Sequence, residues 1–292
     1  MVLDNWPTLS SLSILRYSLM TALRIVAVGR GRTMNQPAIV KTVISLVYPQ
    51  VKRPTLVYLG TASYDKEAPC QIQTSGYHMA CDVLSLNVSK AMKSIPSTTR
   101  MQQTIASAHI ILVSGGNTRY AIHRWKARGL DAMTRTAAEQ GVVLCGGSAG
   151  AICWFDDGHS DSMDPTTFIK VDPCLTEEQK MNWAYIQVGG LGYLQALCVP
   201  HHNTSQSNGV PRSQDSDQMM IERPEQPCLG IEENAAFVVE GNRAWVVSTD
   251  GIAKCCLKRC QPKEGGGYSI LAQDLKVSTG SILLSNLWKG MF

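Results

Sequence analysis

Charge is scarce in this chain. Asp, Glu, Lys and Arg make up 17% of its 292 residues, while 44% are hydrophobic, a balance that argues against disorder and for a packed core. The formal net charge is only +4 and no basic run exceeds a few residues, so neither nucleic acid nor a membrane surface is expected as a partner. No segment is long and apolar enough to span a bilayer. The first twenty residues lack the pattern of an export signal: they hold Asp4, Pro7 and a single basic residue, Arg16, with no apolar core before a small-residue cleavage site. Internal repeats are absent, as is any linker rich in Pro, Gly or Ser.

The cysteines, ten in all, show no spacing that suggests a disulfide framework. Cys145, Cys153 and Cys198 sit in apolar runs, which predicts buried free thiols and a reducing, cytoplasmic setting. Cys255, Cys256 and Cys260 cluster among Lys254, Lys258 and Arg259. They lack a fourth ligand and the paired spacing of zinc motifs, so no metal site is expected.

Apolar β-rich runs alternate with helical segments. The runs are 23–29, 55–60, 82–86, 109–116 and 142–147, and the expected helices between them are 36–48, 71–81, 118–127 and 131–140. Such alternation predicts a mostly parallel sheet covered on both faces, whose ligand sits outside the carboxyl ends of the strands. Beyond it, 156–173 reads as a polar loop, 191–200 as strand-like at its end, and a helix is expected near Ser213. Strands are expected at 228–233 and 235–248, the latter a hairpin turning at Gly241-Asn242. The folded domain is expected to begin near Leu23. It is preceded by an extension, residues 1–22, in which Leu9, Leu12, Leu15 and Leu19 recur at helical spacing.

The densest chemical signal is the run Gly141-Val-Val-Leu-Cys-Gly-Gly-Ser-Ala-Gly150. An apolar strand breaks into small residues around Ser148 and continues into a helical segment, the pattern of a nucleophile elbow. The serine hydroxyl would stand clear of the sheet edge, with the Ala149 N–H aimed where an oxyanion develops. Ser114-Gly-Gly-Asn117 ends another strand, and the Gly116 N–H is a candidate second donor. Asn117 or Thr118 is placed to cap the following helix.

A serine needs a base, and the base needs an orienting group. Of the six histidines, His201 follows an apolar strand and Pro200, while His202 points to the opposite side of an extended chain. Two carboxylates are candidates for the orienting role: Glu233, at the end of 228–233, and Asp161, in the segment after the elbow.

These pieces occur in the order Val113-Ser-Gly-Gly-Asn-Thr118, Gly146-Gly-Ser-Ala-Gly-Ala151, Gly158-His-Ser-Asp161, Gly192-Tyr-Leu to Pro200-His-His-Asn203, and Gly230-Ile-Glu-Glu-Asn-Ala235. From about Leu23 to Ser248 the chain resembles the serine peptidases of the dipeptidase E and cyanophycinase family. The resemblance implies a three-layer α/β/α sandwich similar to class I glutamine amidotransferases, forming a single peptidase domain over 23–292. It implies Ser148 as nucleophile, His201 as base and Glu233 as third member, with Asp161 the alternative. It also implies Gly116 and Ala149 as oxyanion donors, and places Asn117 and Arg212 at the substrate. Dipeptidase E cleaves dipeptides with an N-terminal aspartate, read by an arginine after the histidine, and Arg212 is the nearest counterpart here. The amidotransferases carry cysteine at the elbow, where this chain has Ser148; Cys145 lies before the turn. The segment 172–189 is longer than the family pattern, and neither 1–22 nor the tail after Thr249 has a counterpart.

The expectation is a cytoplasmic serine peptidase acting on dipeptides or short peptides through an acyl-enzyme. It needs no metal or organic cofactor and works as a monomer or homodimer. Two rivals remain at this point: an α/β-hydrolase esterase with the order Ser148, Asp161, His201, and a non-catalytic binding module of the same fold.

Overall fold

The computed structural model describes residues 23–275, 277 and 281–289. The extension expected over 1–22 lies outside the described residues.

Five apolar runs become the strands β1 (Arg24–Val28), β2 (Thr55–Leu59), β3 (Asp82–Ser85), β4 (Ile110–Val113) and β5 (Val143–Gly147). They lie in the order β1-β5-β4-β2-β3, every neighbouring pair parallel. Strand periodicity separates their side chains into two layers. Ile25, Ala27, Val57, Leu59, Ile111, Val113 and Leu144 face one side, and Val26, Val28, Leu56, Tyr58, Ile110, Leu112 and Cys145 face the other. The first layer is covered by α3 (Thr98–Ala106), α4 (Thr118–Lys126) and α5 (Leu130–Glu139). The second is covered by α1 (Pro37–Ser45), with α2 (Glu67–Thr74) packed beside it. This is the expected three-layer sandwich. Burial on both faces explains why β1, β2, β4 and β5 read as continuous apolar runs rather than alternating ones, while β3, at the sheet edge, is largely exposed.

The chain then passes through α6 (Ala149–Ile152) into a second sheet. It contributes β6 (Phe155–Ser160), α7 (Glu177–Met181), β7 (Ile186–Gly189), β8 (Leu194–Pro200), α8 (Arg212–Glu222) and β9 (Cys228–Ile231). It returns to the first sheet as the hairpin β10 (Ala235–Glu240) and β11 (Arg243–Ser248), which extends β1 antiparallel and turns through Gly241 at φ 57°. The second sheet is completed by β12 (Cys255–Pro262) and β13 (Tyr268–Leu275), and the edge of the first by β14 (Ile282–Leu283) and α9 (Leu284–Lys289). In the second sheet β6, β8 and β9 are parallel to one another.

Two expectations need correction, and one helix has no counterpart among them. The polar stretch expected as a loop over 156–173 begins instead as strand β6, because the burial of its polar residues is offset by partners distant in sequence. His159 Nε2 meets Asp215 at 2.8 Å, and Asp157 accepts from Gln226 at 3.0 Å. The helix expected at 71–81 runs from Glu67 to Thr74 and ends in a 3₁₀ turn over Ser75–Tyr77. Helix α3 was not expected at all. It is polar except for Met101 and Ile105, and Ser97 caps it by accepting from the Arg100 N–H at 3.2 Å.

Candidate active site

Five strand ends meet at one place, the carboxyl side where an open parallel sheet leaves its crevice. Ser148 follows β5 and precedes α6, with φ 57° and ψ −118°. This conformation is costly for a residue with a Cβ, and it persists only where the surroundings enforce it. Here the Ser148 N–H donates to Val28 O at 3.0 Å, and its carbonyl accepts from Ala151 and Ile152. Gly150 allows α6 to begin so close to the sheet: a Cβ there would lie 2.3 Å from Val113 O. From β4, Gly115 lies against the serine, since a Cβ on it would be 3.5 Å from Ser148 Cβ. Gly116 has φ 130°, and any side chain would meet Ala62 O at 2.3 Å, so only glycine fits.

His201 leaves β8 in a left-handed conformation, φ 53°, its N–H donating to Gly29 O at 3.2 Å. Its Nε2 lies 3.0 Å from Ser148 Oγ and its Nδ1 2.7 Å from Glu233 Oε1. An ionised carboxylate only accepts, so Nδ1 carries the ring proton, and the Nε2 lone pair faces the serine hydroxyl. Glu233 sits between β9 and β10. Its N–H donates to Asn203 Oδ1 at 3.1 Å, and its carbonyl accepts from the Thr33 hydroxyl at 2.9 Å. The hydrogen bond from His201 holds the Glu233 carboxyl below its ordinary range, with Arg30 adding to the effect and burial opposing it.

Arg30 did not stand out in the sequence. It donates to Glu233 Oε2 at 3.0 Å from 203 positions earlier in the chain. The one signal that pointed to it was its position just past the carboxyl end of β1.

The remaining sequence candidates are placed as follows. Asp161 accepts from Arg212, while the carboxylate bonded to His201 is that of Glu233. Arg212 is 1% exposed; it also donates to His159 O at 3.1 Å and stands over the Tyr185 ring, 4.8 Å from its centroid. Asn117 caps α4 by accepting from the Tyr120 N–H at 2.9 Å, and its amide donates to Ser162 O at 3.0 Å. Both ends of that side chain are therefore engaged. Ala149 is the first residue of α6, where helix N–H groups have no partner within the helix. His202 turns away: a Cβ on Gly230 would lie 2.5 Å from its ring. Among the described residues, no group of three or more His, Cys, Asp or Glu side chains is placed to hold a metal ion, and no helix is long and apolar enough to cross a membrane.

A serine, a histidine and a glutamate in hydrogen-bonded series, beside a glycine-lined strand end, is hydrolase geometry. The family model for peptidase family S51 matches residues 25–247. The chain belongs to peptidase family S51. It is a serine peptidase with a peptidase E-like fold. An uncharacterized peptidase, YgaJ, of Bacillus subtilis (strain 168) is 31% identical over 182 residues, covering 62% of this chain and 69% of that one. The crystal structure of a peptidase from an acI-B1 Actinobacterium superposes with a TM-score of 0.60 at 18% identity, covering 89% of this chain and 96% of the other. A putative peptidase E protein from Listeria monocytogenes EGD-e gives a TM-score of 0.53 at 15% identity, covering 77% and 98%. At such identities these two structures speak to the fold. The S51 match spans the strand ends that carry Arg30, Gly116, Ser148, His201 and Glu233, so every residue of the candidate site lies within the family region.

Proposed function

We propose that this protein hydrolyses short peptides through a Ser148–His201–Glu233 triad. The observation that carries this reading is the continuous hydrogen-bonded path from Ser148 Oγ through both nitrogens of His201 to Glu233. His201 Nε2 takes the hydroxyl proton as Ser148 Oγ bonds to the scissile carbonyl carbon. The oxyanion of the tetrahedral intermediate is met by the N–H groups of Gly116 and Ala149. The C–N bond then breaks, and the departing amine takes the proton from His201. A water molecule, deprotonated by the same nitrogen, hydrolyses the acyl-enzyme and frees the new carboxylate. Glu233 stabilises the imidazolium formed in both halves, and Arg30 keeps Glu233 ionised and aimed.

The expectation of an N-terminal aspartate preference assigns Arg212 to the substrate's side-chain carboxylate. A guanidinium fork suits such recognition. Asp161 occupies that guanidinium in the structure, so the substrate carboxylate has to take its place or share the fork. The ten cysteines are all free thiols, which supports a reducing, cytoplasmic setting. The esterase reading requires an acid placed between serine and histidine in the chain, and the carboxylate on His201 follows it instead.

The deciding experiment is dipeptide and short-peptide hydrolysis by wild type and Ser148→Ala, beside labelling of Ser148 by a fluorophosphonate probe. The variant is expected to lose roughly 10⁴- to 10⁶-fold in kcat. Near-normal turnover by Ser148→Ala ends the triad reading, and an unlabelled wild type with no turnover on any peptide supports the binding-module reading.

A further inference from the structure

A cavity of about 500 Å³ opens beside the Ser148 turn, between α4 and the loop that follows β6. Its floor is formed by Tyr64 and Tyr120, whose rings meet edge-on with centroids 4.8 Å apart. Both rings are fixed at their tips. Tyr64 donates its hydroxyl to Thr167 O, and the Tyr120 hydroxyl lies 2.9 Å from that of Ser89. The rim mixes apolar and cationic side chains. Met163, Phe168 and Ile169 are 38%, 39% and 41% exposed, an unusual share of apolar surface for a single loop. Arg119 and Lys170 complete the rim, and no Asp or Glu lines the cavity. The Arg119 guanidinium leans on the Met163 thioether at 3.6 Å, a weak contact that a carboxylate would displace.

The cavity is joined to the candidate site by packing. Ala149, the residue after Ser148, packs against Ala62 and Ala121 in a buried cluster. Gly115 lies against Ser148, and Asn117, two residues further on, lines the cavity. At about 3.5 Å per residue, the cavity begins on the order of 10 Å from the serine. An extended peptide covers that in roughly three residues, at about 3.5 Å each. Asn117 ties the two regions together: it adjoins Gly116, and its amide holds Ser162 O, which anchors the rim loop.

We infer that this cavity binds the terminal residue of a short peptide substrate, one with an aromatic or large aliphatic side chain and a free α-carboxylate. The side chain lies on the tyrosine floor under Phe168, and the carboxylate meets Arg119 and Lys170. The volume is ample for a large terminal residue, and the one-signed rim disfavours a basic one. This inference rests on the peptidase reading of Ser148, which supplies the other end of the same peptide.

The test uses a series of three- and four-residue peptides ending in Phe, Leu, Gly or Lys, each as free acid and as amide. Binding is measured by calorimetry on Ser148→Ala, alone and combined with Arg119→Gln or Phe168→Ala, both substitutions at exposed positions. The Phe-ending acid is expected to bind at least tenfold tighter than its amide and than the Gly- and Lys-ending acids. Arg119→Gln should reduce the acid-to-amide ratio several-fold, and Phe168→Ala the Phe-to-Gly ratio. Ratios unchanged by both substitutions overturn the inference. Fluorophosphonate labelling and peptide turnover by the wild type test the peptidase reading separately. Peptides that bind with these ratios to a protein that neither labels nor turns over would leave the cavity assigned and remove the peptidase reading. Labelling and turnover without the ratios would do the reverse.

Discussion

Arg30 and His201 grip opposite oxygens of the same carboxylate: Arg30 reaches Glu233 Oε2 at 3.0 Å, and His201 reaches Oε1 at 2.7 Å. In the proposed triad this pairing makes Arg30 a positioning residue, one that acts on the chemistry through Glu233. Replacing it with Gln removes a charge that favours the ionised carboxylate, so Glu233 will take up a proton at higher pH than in the wild type. The expected result is a loss of about tenfold in kcat/KM near neutrality and an acid-side fall in activity displaced toward higher pH. Arg30→Lys should restore part of both. A pH–rate profile that superposes on the wild type after scaling would show that Arg30 has no such role.

Ser148 is held at φ 57° and ψ −118°, where a Cβ is strained and glycine is not. Ser148→Gly should therefore be more stable to denaturant than Ser148→Ala, by about 1 kcal/mol or more, although both lack the proposed nucleophile. Equilibrium unfolding in urea compares the two directly. Equal midpoints would mean that the bend carries no strain.

Gly116→Ala should damage both stability and rate. The added methyl meets Ala62 O, and φ 130° disfavours any side chain. A loss of roughly 1–3 kcal/mol is expected from the backbone alone. Displacement of the Gly116 N–H should cost on the order of 10²-fold in kcat. Thermal melts and single-turnover acylation separate the two effects.

His202, next to the candidate base, packs against Gly230, and burial pushes its pKa down to about 4, with Lys258 adding to the effect. The ring is therefore neutral in the fold between pH 4 and its ordinary 6.5, where the unfolded chain binds a proton. Stability should fall as pH drops through that window and level off below it, with up to roughly 3 kcal/mol from this group. Substituting His202 with Gln should flatten that part of the stability–pH curve, whatever it does to the absolute midpoint. An unchanged slope would assign the acid sensitivity to other groups.

Arg212→Ala examines the proposed reading of an acidic first residue. A dipeptide panel should lose its preference for N-terminal aspartate in the variant if the guanidinium reads that carboxylate. An unchanged preference assigns Arg212 to holding Asp161 and the His159 carbonyl. Loss of the arginine also leaves Asp161 without its partner, so stability should be measured alongside.

The parallel sheet was legible because β1, β2, β4 and β5 are buried on both faces, and their residues announce it as unbroken apolar runs. The hairpin of β10 and β11 was legible through Gly241-Asn242. Strand β6 was not, since His159 and Asp157 look like loop residues until Asp215 and Gln226 arrive from a distant segment. The hairpin of β12 and β13 was not legible either, because β13 is half-buried over its first three residues and exposed over the next four, with no buried face to set a period, and it is defined by its pairing with β12. At the site, the strain-prone glycine-flanked serine and the strand-end histidine could be picked out by residue type and local pattern. The choice between Glu233 and Asp161 could not, because both end strands and only the fold shows that Asp161 is engaged by Arg212. Arg30 carries no motif of its own, and its importance follows entirely from where β1 stops.

Ser148 hangs from the eight-stranded sheet, His201 from the six-stranded one, and Glu233 from the short crossing between them, with Gly29 stitched to both His201 and Ala235. Under the proposed triad, proton transfer is a gauge of how well the two sheets are seated on each other. A slip of a single ångström along that seam, too small to disturb circular dichroism, would silence turnover, so hydrostatic pressure or dilute urea should extinguish activity in molecules whose helices and strands are still intact.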